Sequence, residues 1–112
     1  MTRVTIIEAD VVDWAREYDG PQFHALISDP PYLLSFMGKE FDKQHKALQG
    51  ANDGQKMQAW HAQWIDVVMA HLLPGAHSMT FGGSRTSHRL TAALEDAGME
   101  IRDSVDWVYG SG

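Results

Sequence analysis

The chain contains no cysteine. Disulfides and thiolate metal sites are therefore excluded, as suits a cytoplasmic protein. It has no run of about 18 apolar residues, so nothing reads as a membrane span. The N-terminus, Met1-Thr2-Arg3-Val4, lacks the architecture of a signal peptide. Positive charge is scarce: 9 Lys and Arg stand against 15 Asp and Glu, a net charge of −6. Phosphate neutralisation depends on Lys and Arg, so this composition disfavours a self-sufficient nucleic-acid binder. Only Lys39, Lys43 and Lys46 cluster, and Glu40 and Asp42 interleave them. The six histidines lack metal-ligand spacing with carboxylates, and no metal site is expected. There is no internal repeat, low-complexity tract or linker. At 112 residues the chain is a single domain, residues 1–112, with a modest core. Its 44% hydrophobic and 21% charged content match a globular fold.

What is present is an alternation of strand and helix signals. Arg3 to Ala9 reads as a strand carrying Val4, Ile6 and Ile7. Asp10 then stands as N-cap of a short helix, Val11 to Tyr18, which Asp19-Gly20-Pro21 ends. Phe23 to Ser28 is a short apolar run, expected to be a parallel strand covered on both faces. From Leu33 to Gln55 no period is visible, and so long an irregular stretch is usually functional or disordered. Met57, Trp60, Trp64, Val67, Val68 and Leu72 then share one face of a helix starting near Lys56 and stopped by Leu73-Pro74-Gly75. The two tryptophans are read as core.

His77 to Phe81 reads as a buried strand, followed by a tight turn at Gly82-Gly83. Ser84 or Thr86 caps another helix, with Leu90, Ala93, Leu94 and Ala97 on its inner face and Gly98 just past its end. Met99 to Tyr109 alternates apolar and polar, as in a half-exposed, antiparallel strand. This order implies an α/β sandwich with a mainly parallel sheet. Ligands of such sheets bind beyond the carboxyl ends of the strands, where Asp10, Asp29 and Gly82-Gly83 are expected to converge.

Asp29-Pro30-Pro31-Tyr32 carries the most chemistry. Two prolines fix two successive φ angles and remove two backbone donors. Their carbonyls stay open to outside donors, the Asp29 carboxylate adds acceptors, and Tyr32 offers a flat ring. Acceptors beside a stacking face suit a planar ligand with an exocyclic amine, such as adenine or cytosine.

Here the residues resemble a known family. Ile7-Glu8-Ala9-Asp10, Ser28-Asp29-Pro30-Pro31-Tyr32, Phe36 to Asp42, Leu73 to His77, Phe81 to Thr86, and Ile101-Arg102-Asp103 to Gly112 resemble, in order, the N-terminal part of amino-methylating DNA methyltransferases. Those enzymes transfer a methyl group from S-adenosylmethionine to adenine N6 or cytosine N4. The resemblance covers nearly the whole chain and implies a partial Rossmann-like methyltransferase sandwich acting on double-stranded DNA, with the target base flipped out of the duplex. Asp29 and the Pro30 carbonyl would accept from the target amine, Pro31 would stiffen the turn, and Tyr32 would stack on the base. Asp10, Asp29 and Gly82 fall where the family binds its cofactor. Asp at the first motif position favours adenine.

The family's Phe-x-Gly-x-Gly cofactor segment, downstream in relatives of this motif order, does not occur in these residues. The expectation is therefore a fragment: a catalytic half-site with an open sheet edge, prone to self-association or to pairing with the C-terminal part of the same enzyme. The alternative is a non-catalytic remnant that binds a partner or dimerises. RNA and protein methyltransferases with a related motif place the glycine segment first, and only Gly20, in a turn, precedes Asp29 here.

Overall fold

A computed structural model describes residues 2–33 and 53–111. Most of the irregular stretch expected between Leu33 and Gln55 lies outside these residues, as do Phe36 to Asp42 and the lysine cluster. The element order is α1 (Val11–Glu17), β1 (Phe23–Ser28), α2 (Asp53–Met69), β2 (Leu72–Thr80) and α3 (Ser87–Asp96). β1 and β2 pair in parallel, the geometry expected when a helix connects two strands. The described residues thus form a small α/β unit compatible with part of a Rossmann-like fold.

Local chemistry accounts for the boundaries that match the sequence reading. The Asp10 carboxylate caps α1, with Oδ1 accepting from the amides of Val12 at 2.9 Å and Asp13 at 3.2 Å. At the other end of the chain, Gly98 (φ 105°) closes α3 in a Schellman arrangement. Its amide bonds Glu95 O at 3.0 Å, and the Met99 amide bonds Leu94 O at 3.1 Å. β1 spans the residues expected of it.

The helix expected to run to Leu73-Pro74-Gly75 instead ends at Met69, and those three residues belong to β2. Long-range bonds capture the chain first. The Phe23 amide donates to His71 O at 2.7 Å, and Gln22 Nε2 reaches the carbonyls of Ala70 and Leu72. Pro74 and Gly75 are accommodated by an irregularity in the pairing. Phe23 faces Leu72, but Ala25 faces His77, so β2 takes five steps while β1 takes two. A residue without an N–H and a glycine at φ 82° fit such a bulge.

The core is built from Ala15 of α1, Trp64, Ile65 and Val68 of α2, and Leu90, Ala93 and Leu94 of α3, with Leu26 of β1 against it. Trp64 is buried and Trp60 packs on the cluster's edge, in keeping with a core role for both. The buried face of α2 runs through His61, Trp64, Ile65 and Val68, one step round from the face read in the sequence. Ile65, 1% exposed, is its centre.

Three sequence expectations are corrected. β1 is covered on one face, because Ile27 and its register partner Met79 stay 76% and 59% exposed. Arg3 to Ala9 forms no strand and is exposed throughout. Met99 to Tyr109 forms none either, and no antiparallel strand occurs among the described residues. Both segments have strand-like sequences, but a strand exists only where its backbone groups find a partner, and neither segment is paired here.

His61, 4% exposed, is the buried polar residue of the core. Its Nδ1 accepts from Trp64 Nε1–H at 3.0 Å. Indole nitrogen only donates, so the imidazole is neutral with its proton on Nε2. Burial lowers its pKa from 6.5 to about 4. The unfolded chain therefore takes up this proton below pH 6.5, whereas the folded chain resists until about pH 4. Stability is fully present above pH 6.5 and declines by roughly 3 kcal/mol as pH falls to 4. Urea unfolding across this range should show the decline, and His61→Leu should remove this component of the slope.

Candidate functional site at the strand ends

The parallel pairing carries β1 and β2 to a common carboxyl rim. The Phe81 amide donates to Ser28 O at 3.0 Å, one residue past the last paired position of β2. Beside it the Ser28 and Thr80 hydroxyls are bonded at 2.9 Å, and Ser78 joins Thr80 at 3.2 Å. Asp29 leaves this anchored strand end exposed to solvent, while Pro30, Pro31 and Tyr32 are half-buried. Leu33 is buried, and its φ of 61° lies in the left-handed region. That conformation costs a leucine roughly 1–2 kcal/mol, so the surrounding packing holds the turn in place.

Residues 80–86 form the other wall. A Cβ added to Gly83 would lie 3.2 Å from Tyr32 Cδ2 and 3.6 Å from Cγ, so the Tyr32 ring rests on the Gly83 backbone. A Cβ on Gly82 would meet Leu90 Cδ2 at 3.1 Å. The expected turn is present, since the Gly83 carbonyl accepts from the Thr86 amide at 3.1 Å, but neither glycine has a positive φ, so what glycine supplies at both positions is room for close approach. Of the two candidate caps for α3, Thr86 occupies the N-cap position, yet its side chain makes no cap bond. Thr86 Oγ1 instead donates to the carbonyl of Tyr32 at 3.2 Å.

The site residues expected from sequence are thus partly assembled. Tyr32 meets the Gly82-Gly83 segment, and Asp29 sits at the junction of the two strands. Asp10 is engaged at the start of α1 through Oδ1, and its bonds tie it to that helix. The last turn of α1 docks at the opposite end of the strands. Tyr18 stacks on Phe23 with centroids 5.1 Å apart, and His71 Nε2 lies 2.6 Å from Ala15 O. Asp10 is exposed, and both amide bonds use one carboxylate oxygen. Oδ2 remains able to accept from ligand hydroxyls, so its cap role does not exclude a binding role.

Sequence reading missed three features of this rim. Leu33 shows no signal, because leucine is not a residue expected at positive φ. The diverted Thr86 hydroxyl depends on a segment 54 residues away. Trp107, read as one face of a strand, is 70% exposed and meets Phe81 with ring centroids 5.8 Å apart. No group of three or more metal-ligating side chains occurs among the described residues.

Comparison with known proteins finds a distant similarity. The chain is 24% identical to the Type II methyltransferase M.HindIII of Haemophilus influenzae over 129 aligned residues. The match takes in 91% of this chain and 42% of that protein. The chain therefore spans less than half the length of its relative. No protein-family model and no solved structure matches it.

The cap role of Asp10 is open to a direct check. Asp10→Ala should lower stability by about 1 kcal/mol and Asp10→Ser should retain most of it, as read by chemical denaturation.

Proposed function

We propose that this chain carries the amine-orienting half of a DNA methyltransferase site, with adenine N6 favoured over cytosine N4. The observation that carries the reading is the Asp29-Pro30-Pro31-Tyr32 turn at the carboxyl end of a parallel strand, its carboxylate exposed and its aromatic ring seated on the neighbouring strand's glycine turn. The relationship to a Type II methyltransferase supports it.

In this reading a base flipped from double-stranded DNA lies on Tyr32. Its exocyclic NH2 donates to the Asp29 carboxylate and to the Pro30 carbonyl. Pro31 fixes the span between carboxylate and ring. Two acceptors on one amine hold its lone pair toward an incoming electrophile. S-adenosylmethionine supplies that electrophile as a methyl group on a sulfonium. Asp10 Oδ2 and the exposed Gly82 backbone are the positions proposed to contact it, along with Asp29. The transfer is an in-line displacement, so the chain's contribution is orientation, a large effect when reacting atoms are held in line.

A second reading has its own observation. Val4 and Ile6 on one segment, Val105 and Val108 on another, and Ile27 with Met79 on the open sheet face are all strongly exposed. The Ile27–Met79 pair on the open sheet face is apolar surface left for another chain to cover. It favours a module that pairs with a second copy or with further methyltransferase polypeptide, catalytic or not. A monodisperse monomer at tens of micromolar in light scattering would count against it.

Calorimetry with S-adenosylmethionine, followed by transfer of labelled methyl to DNA, tests the catalytic reading. In an active form Asp29→Ala should abolish transfer with the fold intact, and Tyr32→Ala should weaken base stacking by roughly 1–3 kcal/mol. Near-normal transfer by Asp29→Ala would sink the assigned role.

A further inference from the structure

We infer that Gly83 and Thr86 are positioning residues that set the orientation of the Tyr32 ring, an inference resting on the reading of Tyr32 as the base platform. A threonine at an N-cap ordinarily spends its hydroxyl on an amide in the first helical turn. Thr86 stands at that position and makes no such bond. Its Oγ1 donates instead to Tyr32 O at 3.2 Å. That carbonyl belongs to the peptide unit joining Tyr32 to Leu33. Orienting it fixes ψ of Tyr32 and φ of Leu33 together, and the Leu33 φ of 61° is the unusual value at this turn. The helix start therefore gives up a local bond and holds the backbone beneath the ring.

Gly83 acts on the ring itself. Its backbone does not need glycine, since its φ is not positive. The space a side chain would take is filled by Tyr32, with Cδ2 at 3.2 Å and Cγ at 3.6 Å, and then by Thr86 Oγ1 at 3.7 Å. An added methyl would push the ring by a few tenths of an ångström. Backbone and ring of Tyr32 are thus both set by Gly83 and Thr86, which are distant from it in sequence. These residues would determine how a base lies relative to the two acceptors, because the ring is the surface on which it rests.

The test uses the full chain labelled with 3-fluorotyrosine. It has three tyrosines, and Tyr32→Phe assigns the Tyr32 fluorine line against those of Tyr18 and Tyr109. Gly83→Ala and Thr86→Val should each shift or broaden the Tyr32 line and leave the other two lines and the circular dichroism unchanged. Thr86→Ser, which keeps the hydroxyl, should restore the wild-type line. Titration with deoxyadenosine monophosphate should perturb the Tyr32 line in wild type and in Thr86→Ser, and several-fold less in the other two variants. A Tyr32 line unmoved in folded Gly83→Ala and Thr86→Val overturns the inference, as does equal movement of all three lines. Should Thr86→Val not fold, Gly83→Ala decides, since its backbone accepts alanine. A wild-type line indifferent to the nucleotide counts against the base-platform reading alone, because the effect of the substitutions is read without ligand.

Discussion

The bond from the Phe81 amide to the Ser28 carbonyl is the contact on which the rim depends. Parallel strands in register end on the same side, so their following residues must share space. Asp29 to Leu33 follows β1, and Gly82 to Thr86 follows β2. Their meeting is a consequence of strand direction, and the contacts between Tyr32, Gly83 and Thr86 elaborate it. An antiparallel pairing of the same two strands would have placed these segments at opposite ends, roughly 20 Å apart for a six-residue strand. The bulge at Pro74-Gly75 adjusts the register so that Ser28 and Thr80 finish side by side.

The covered and open faces of the sheet follow from the same arrangement. Leu26 points toward α1, α2 and α3, whereas Ile27 and Met79 point away from them. A single helix layer supplies a core centred on Ile65, with no second layer among the described residues. A domain of this size already buries a modest fraction of its surface, and one bare sheet face reduces it further. Buried groups such as His61, with its indole partner, therefore weigh more in the balance than they would in a larger fold. The exposed segments at 2–10 and 101–110, without regular secondary structure, flank that same modest core.

Local signals were legible in the sequence where short-range chemistry decides the structure. β1 was bounded at Phe23 and Ser28 because turn residues and proline enclose one apolar run. Asp10 and Gly98 were readable because capping depends on neighbours a few residues away. Features decided by distant segments were not. Pro74-Gly75 resembles a helix stop, yet bonds from Gln22 and Phe23 end α2 earlier and draw both residues into β2. Val4 to Ile7 and Val105 to Tyr109 carry strand patterns, but alternation states a preference and not a partner. At the rim, Asp29-Pro30-Pro31-Tyr32 was visible as a stiff turn with acceptors. The part that aims it, Thr86, looked like an ordinary cap because the partner of its hydroxyl lies 54 residues away.

Charge gives the proposed chemistry an internal tension. A net charge of −6 favours a cationic sulfonium near the exposed carboxylates of Asp10 and Asp29. The same charge repels the phosphates of the duplex from which the target base must come. A neutral amine is indifferent to both effects, so its placement falls to hydrogen-bond geometry and stacking, which salt screens little. The rim is built accordingly. Its acceptors sit on a proline-stiffened turn, its ring lies on bare backbone, and hydroxyl and amide bonds anchor it. Directly behind the ring, Leu33 is held at a positive φ, a conformation that the packing around a buried leucine must sustain.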